Sequence, residues 1–163
     1  DDTFCNTTDE TVIRQVLNDF DRSTTDFYVW TETILQDELQ ELLKSRLKIE
    51  FGNILNLEPI ERGPGGRIIR LRIVGTERSF VIGKELEIRS ALSRSHLKSA
   101  NFEVERPHVD ATGIPTRFLL HGHGWGHGVG LCQIGAAVMG NRGYTYQQIL
   151  QHYYRGAELT KLY

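Results

Sequence analysis

The 163 residues carry 19 lysines and arginines against 21 aspartates and glutamates, a net charge of −2, with 25% charged and 39% hydrophobic residues. This is an ordinary composition for a globular domain with a sizeable core. The near balance of charge argues against a chain built to bind nucleic acid, and no stretch approaches the ~20 apolar residues of a membrane span.

The charge is uneven along the chain. Acids outnumber bases from Asp1 to Glu50, and bases outnumber acids from Pro59 to Ala100. The basic middle reads as a solvated sheet face rather than a polyanion site. With neither leader nor initiator methionine before Asp1, the chain reads as a fragment or a processed product. Two cysteines, Cys5 and Cys132, are too few for a disulfide framework. They read as two free or buried thiols, Cys5 alternatively pairing with a part of the parent protein.

The polar first third holds one short helix candidate, "VIRQVLNDF". "DFYVWTETI" alternates and is rich in aromatics, which predicts a strand from about Phe27 to Ile34. In "LQDELQELLKSRLKI", Leu35, Leu39, Leu42, Leu43 and Leu47 fall at helical spacing, an amphipathic helix whose leucines are core. The next stretch, to Gly83, reads as a three-stranded antiparallel meander. The "GPGG" turn at 63–66 precedes alternation of Ile69, Leu71 and Ile73 with Arg70 and Arg72. "KELEIRSALS" is a short helix, and "ANFEVER" and "TRFLLHG" are strands around a turn near Thr112 to Pro115. Two helices close the chain. One runs from about Leu131 to Met139, and one begins at Thr145, which has capping-box spacing to Gln148.

Residues 121–130, "HGHGWGHGVG", are the unusual segment. If "FLLHGHGWGHGVG" is extended, His121, His123, Trp125, His127 and Val129 share one face and the other face is bare backbone. A row of glycines in a strand requires close approach by something else. No P-loop fits, because no Lys-Ser/Thr pair follows. A metal site has ligand types in His121, His123, His127 and Cys132, but a strand sets His121 and His127 about 20 Å apart at ~3.3 Å per residue. A saccharide or peptide groove would use Trp125 as a stacking plane, with His127 and Gln133 as hydrogen bonders. Alternatively the histidines are structural and the glycines merely permit packing. From Arg106 onward the only carboxylates are Asp110 and Glu158. The segment can therefore hold or polarise a sugar but lacks the acids of a self-contained glycoside hydrolase.

The residues "GWGHGVGLCQIGAAVMGNRGYTYQQILQHYYRGAEL" closely resemble the C-terminal signature of the SpoIID/LytB family, which includes stage II sporulation protein D and amidase enhancers. Upstream, Arg89, Leu92, Leu97, Lys98, Ser99, Asn101 and Phe102 resemble that family's R-x-x-L…L-R-S-x-N-F segment. Cys132 stands where the family usually has serine, and Ile134 where an aromatic is common. The resemblance implies an α+β fold, a curved antiparallel sheet with packed helices, in one domain spanning residues 1–163. It implies an extracytoplasmic peptidoglycan lytic transglycosylase that cleaves MurNAc–GlcNAc bonds to 1,6-anhydro products. One glutamate then serves as both acid and base. The family's E-M-P segment, the A-L-K-A-Q helix after it and a zinc-associated Cys/His segment are absent from these residues, and the Glu58-Pro59 pair does not replace them. No catalytic residue, metal or cofactor is therefore assigned. The expected glycan contacts are Arg89, Ser99, His123, Trp125, His127 and Gln133. The expected partners are glycan strands and, for a non-catalytic module, a cell-wall amidase.

Overall fold

A computed structural model describes residues 3–16 and 28–160. Among them are five helices and six strands in an α+β arrangement. The chain divides into two compact units, one of Val29–His127 and one of Asp1–Tyr28 with Gly128–Tyr163.

The Val29–His127 unit opens with β1 (Val29–Leu35) and α2 (Gln36–Leu47), after α1 (Glu10–Val16) of the other unit. The meander follows as β2 (Ile54–Arg62), β3 (Ile68–Gly75) and β4 (Ser79–Gly83), then α3 (Glu85–Ala91), β5 (Phe102–Glu105) and β6 (Arg117–His123). The antiparallel strands form two three-stranded sheets, ordered β1-β6-β5 and β2-β3-β4. Phe27, expected to begin the first strand, and residues 17–20 of the first helix candidate lie outside the described residues.

One core joins both sheets and both helices of this unit. Leu39 and Leu43 of α2, Ile54 and Leu57 of β2, Leu71 and Ile73 of β3, Ile88 of α3, Phe102, Phe118 and Leu120 are all buried. Gln36, the buried polar residue at the start of α2, is satisfied: its side chain donates to the Ile54 carbonyl at 2.9 Å and accepts from the Ile54 amide at 3.3 Å. Pro59 lies in β2, an edge strand, where a missing amide costs no ladder bond to a further neighbour. On the outer side of the meander Arg72 pairs with Glu58 and Arg70 with Glu61, so the basic middle is in part a paired, solvated face.

Across the β1-β6-β5 sheet, Trp30, Gly122 and Phe102 share one row. Trp30 is 4% exposed and Phe102 1%. The indole lies over Gly122 so closely that a Cβ there would sit 2.0 Å from Trp30 Cζ2. Its Nε1 donates to the Gly124 carbonyl at 3.0 Å, which satisfies the one polar atom of a buried indole.

In the other unit, α1 meets α4 (Gln133–Asn141), and α5 (Tyr146–Tyr153) follows. Ile13 and Ile134 form a small core with Cys5, Val16 and Cys132 packed against it. Cys132 caps α4, its Sγ accepting from the Gly135 amide at 3.4 Å. Thr145 and Gln148 make the expected capping box at α5. The Tyr153 hydroxyl covers Gly135, where a Cβ would lie 2.1 Å from it.

Two outcomes follow from these contacts. Gly122→Ala should destabilise the chain by about 3 kcal/mol in urea unfolding, because the indole cannot retreat from a filled core. In a Trp30→Leu background the same change should cost less than about 1 kcal/mol, since the two positions are coupled through one contact. Burial, together with the neighbouring Cys132 and Cys5 thiols, pushes the Tyr153 phenol up to about 12 from the ordinary 10.0. The folded state thus holds this proton more tightly than the unfolded chain does. The associated stability is complete below pH 10 and is lost as pH rises from 10 towards about 12. Phenolate absorbance, compared with Tyr153→Phe, should show one tyrosine titrating late.

Candidate functional site: a glycine loop clamped beside the sheet

β6 ends at His123, so the extended reading through Val129 is corrected. The reason lies in the glycines. Gly124 and Gly126 have φ of +73° and +86°, a conformation that ends the pleat and that side-chain-bearing residues adopt only with strain. Gly122 and Gly126 thus serve different needs. Gly122 makes room for Trp30, whereas a Cβ on Gly126 would meet nothing within 4 Å and only its backbone angle demands glycine.

The loop that follows His123 is held at almost every step. Ser99 Oγ donates to the His123 carbonyl at 2.6 Å and accepts from the Asn101 amide at 3.1 Å. The His123 amide donates to the Asn101 carbonyl at 2.8 Å, and the Gly126 amide to the Lys98 carbonyl at 2.7 Å. Arg67 Nε donates to the Gly126 carbonyl at 3.0 Å. The 98–101 segment is itself braced by Arg89, whose Nε donates to the Leu97 carbonyl at 2.6 Å and whose guanidinium faces Glu85 at 3.4 Å. The two sequence blocks that carry the family resemblance, one from Arg89 to Phe102 and one from Gly124 onward, therefore meet along a shared ladder of hydrogen bonds.

The expected contact residues separate by this geometry. Ser99 is fully buried and Arg89 nearly so, and the bonds above direct both inward. They position the loop. His123, Trp125 and His127 have exposed side chains, Trp125 at 41%. Trp125 is thus a surface plane, and the buried tryptophan of the chain is Trp30. Gln133 is exposed at the first turn of α4, in the other compact unit. His121 lies on the outer face of β6, with Nδ1 3.3 Å from Thr31 Oγ1 and Nε2 2.9 Å from Glu105 Oε2. Its ring is engaged away from the loop. Among the described residues no three His, Cys, Asp or Glu side chains gather as metal ligands.

Arg67 and Trp30 are the loop-holding residues that sequence reading did not single out. Arg67 directly follows the "GPGG" turn, but its bond partner is 59 positions away and no local pattern marks it. A hollow of about 340 Å³ lies elsewhere, beside α2 and the turn after α3. In its lining Arg94 pairs with Glu38, and Arg46 donates to the Arg94 carbonyl.

A family described as a domain of unknown function (DUF8618) matches residues 1–130. The chain belongs to that family. It is also 37% identical over 83 residues to stage II sporulation protein D of Bacillus subtilis, and 35% identical over 83 residues to the protein of the same name from Bacillus amyloliquefaciens. Each match covers 51% of this chain and 22% of the relative. It is 31% identical over 74 residues to the amidase enhancer of Bacillus subtilis, covering 45% of this chain and 10% of that protein. These relatives support the kinship with the SpoIID/LytB family that the motifs indicate, over about half of the chain. The chain spans about a fifth or less of the length of each of these relatives.

Gly126→Ala isolates the backbone requirement, since no neighbour is displaced. It should destabilise by about 1–2 kcal/mol, the cost of a left-handed residue with a Cβ. Gly126→Asn should cost less, because asparagine tolerates that region better. Thermal unfolding of the two variants beside the parent checks both values.

Proposed function

We propose that this chain is the peptidoglycan-binding part of a SpoIID-family lytic transglycosylase acting outside the cytoplasm, and that the glycine loop forms one wall of its glycan groove. The observation that carries the reading is the clamped loop that presents Trp125 outward. A sugar offers apolar C–H faces and hydroxyl edges, and proteins meet these with an aromatic plane and a few placed hydrogen bonders. Trp125 supplies the plane, and His123 and His127 flank it in sequence with exposed imidazoles that can each donate and accept. Arg67, Ser99, Trp30 and Lys98 hold the backbone beneath them. A preorganised loop binds better than a mobile one, because less freedom is lost on binding. Arg89 acts through this support rather than by touching sugar.

The chemistry assigned to the chain is holding, not cleavage. No E-M-P segment occurs in the 163 residues. A second reading, a non-catalytic wall-binding module that modulates an amidase, is favoured by the relative named amidase enhancer.

Titration with peptidoglycan oligosaccharides, followed by heteronuclear NMR, tests the groove. Shifts should gather at Trp125, His123 and His127. Trp125→Ala should weaken binding about tenfold, the loss of one stacking contact worth ~1–1.5 kcal/mol, with the amide spectrum otherwise intact. Saturating sugar with no change in these residues overturns the groove. Mass spectrometry of digested peptidoglycan should show no anhydro-muropeptides above a heat-killed control. Their release would place a catalytic acid within these residues.

A further inference from the structure

The two cysteines lie far apart in sequence, yet the fold brings them together. Cys5 and Cys132 pack against the same small core of Ile13 and Ile134. Cys5 Sγ donates to Thr3 Oγ1 at 3.6 Å, and the Cys5 thiol nearby together with burial pushes the Cys132 thiol up. Both stand as thiols in this structure. Their meeting is built by neighbours on each side. Phe4 packs edge-on against Tyr144 at 5.6 Å and His152 at 5.3 Å, and the Arg142 guanidinium lies 5.4 Å from its ring centroid. The aromatic anchor at position 4 fixes where residue 5 can go. Opposite it, Cys132 is fixed as the cap of α4 through the Gly135 amide.

We propose that Cys5 and Cys132 are a modification site, closing an intramolecular disulfide when the chain meets an organic disulfide oxidant. One cysteine thiolate attacks a sulfur of the oxidant. The oxidant's S–S bond breaks, a mixed disulfide forms, and one thiolate leaves. The second cysteine loses its proton to solvent and attacks the protein sulfur of the mixed disulfide, releasing the second thiolate. The protein is oxidised by two electrons and the oxidant is reduced to two thiols. Their shared packing against Ile13 and Ile134 supplies the proximity that the second step needs. The bond ties the segment before α1 to the cap of α4 and closes a loop of more than a hundred residues. A cross-link of that length removes much freedom from the unfolded chain. The two cysteines stand as thiols, as expected, and the proposal is independent of glycan binding.

The test oxidises the native chain with glutathione disulfide, blocks remaining thiols by alkylation, and maps an unreduced digest by mass spectrometry. The expected product is a monomer that has lost two hydrogens, with the Cys5 peptide joined to the Cys132 peptide. Its melting temperature should exceed that of the reduced chain by on the order of 10 °C and fall back on reduction. Cys132→Ser should show neither change. Alkylation of both cysteines after oxidation, glutathione held on either one without a cross-link, disulfide-linked dimers, or a cross-link that leaves the melting temperature unmoved would each overturn the proposal.

Discussion

The indole of Trp30 occupies the space that a side chain at position 122 would need, and much of the glycine loop's position follows from that contact. A glycine in the middle of a buried row leaves a notch in the sheet. Trp30 fills it from β1 while Phe102 closes the row from β5, their ring centroids 6.4 Å apart. The filled notch fixes the indole, and the fixed indole aims Nε1 at the Gly124 carbonyl. The loop is thus tied to the hydrophobic core one residue after the strand ends. A smaller residue at 30 or a larger one at 122 would break the packing and the tether together.

From that tether onward the loop backbone is held by a backbone carbonyl of Lys98 and by the Arg67 side chain. Its amides and carbonyls find partners on residues 98–101 and on Arg67, so its backbone position is set from outside the loop. This explains why side chains there can face outward. A strand must bury one of its two faces, whereas a loop with left-handed glycines and external supports need not. The cost is that the supports are buried polar groups with fixed partners. Ser99 is the clearest case, with both its donor and its acceptor capacity engaged and no exposure to solvent. Losing its hydroxyl would leave a part-buried carbonyl and a part-buried amide short of partners, which is dearer than losing the bond itself.

The elements were legible where the period of the sequence matched the period of the structure. Leu39, Leu42 and Leu43 announced α2, the alternation around Arg70 and Arg72 announced β3, and Thr145 with Gln148 announced the start of α5. The loop was less legible for a physical reason. Alternating glycine satisfies the two-residue period of a strand, but glycine itself prefers neither strand nor left-handed backbone, and the structure takes the second option after His123. Nor could the sequence separate contact residues from supporting ones. Ser99 and Trp125 belong to one resemblance, yet one is sealed and the other half-exposed, because that difference is decided by partners tens of positions away. The meeting of Cys5 with Cys132 was invisible for the same reason, resting on where Phe4 packs.

The proposed holding role agrees with where the carboxylates beside the loop stand. Protonating a glycosidic oxygen near neutral pH calls for a carboxylic acid kept protonated by burial or by a like charge. The strand beside β6 offers Glu103 and Glu105. Neither has that environment: their side chains are 78% and 57% exposed. Glu103 is paired with Arg62 at 2.7 Å and Glu105 is hydrogen-bonded to His121 at 2.9 Å. Both also lie on the outer face of the sheet, opposite the buried row that carries the tether. In the proposed reading, the exposed indole of Trp125 and the imidazoles of His123 and His127 would meet a sugar ring and its hydroxyls.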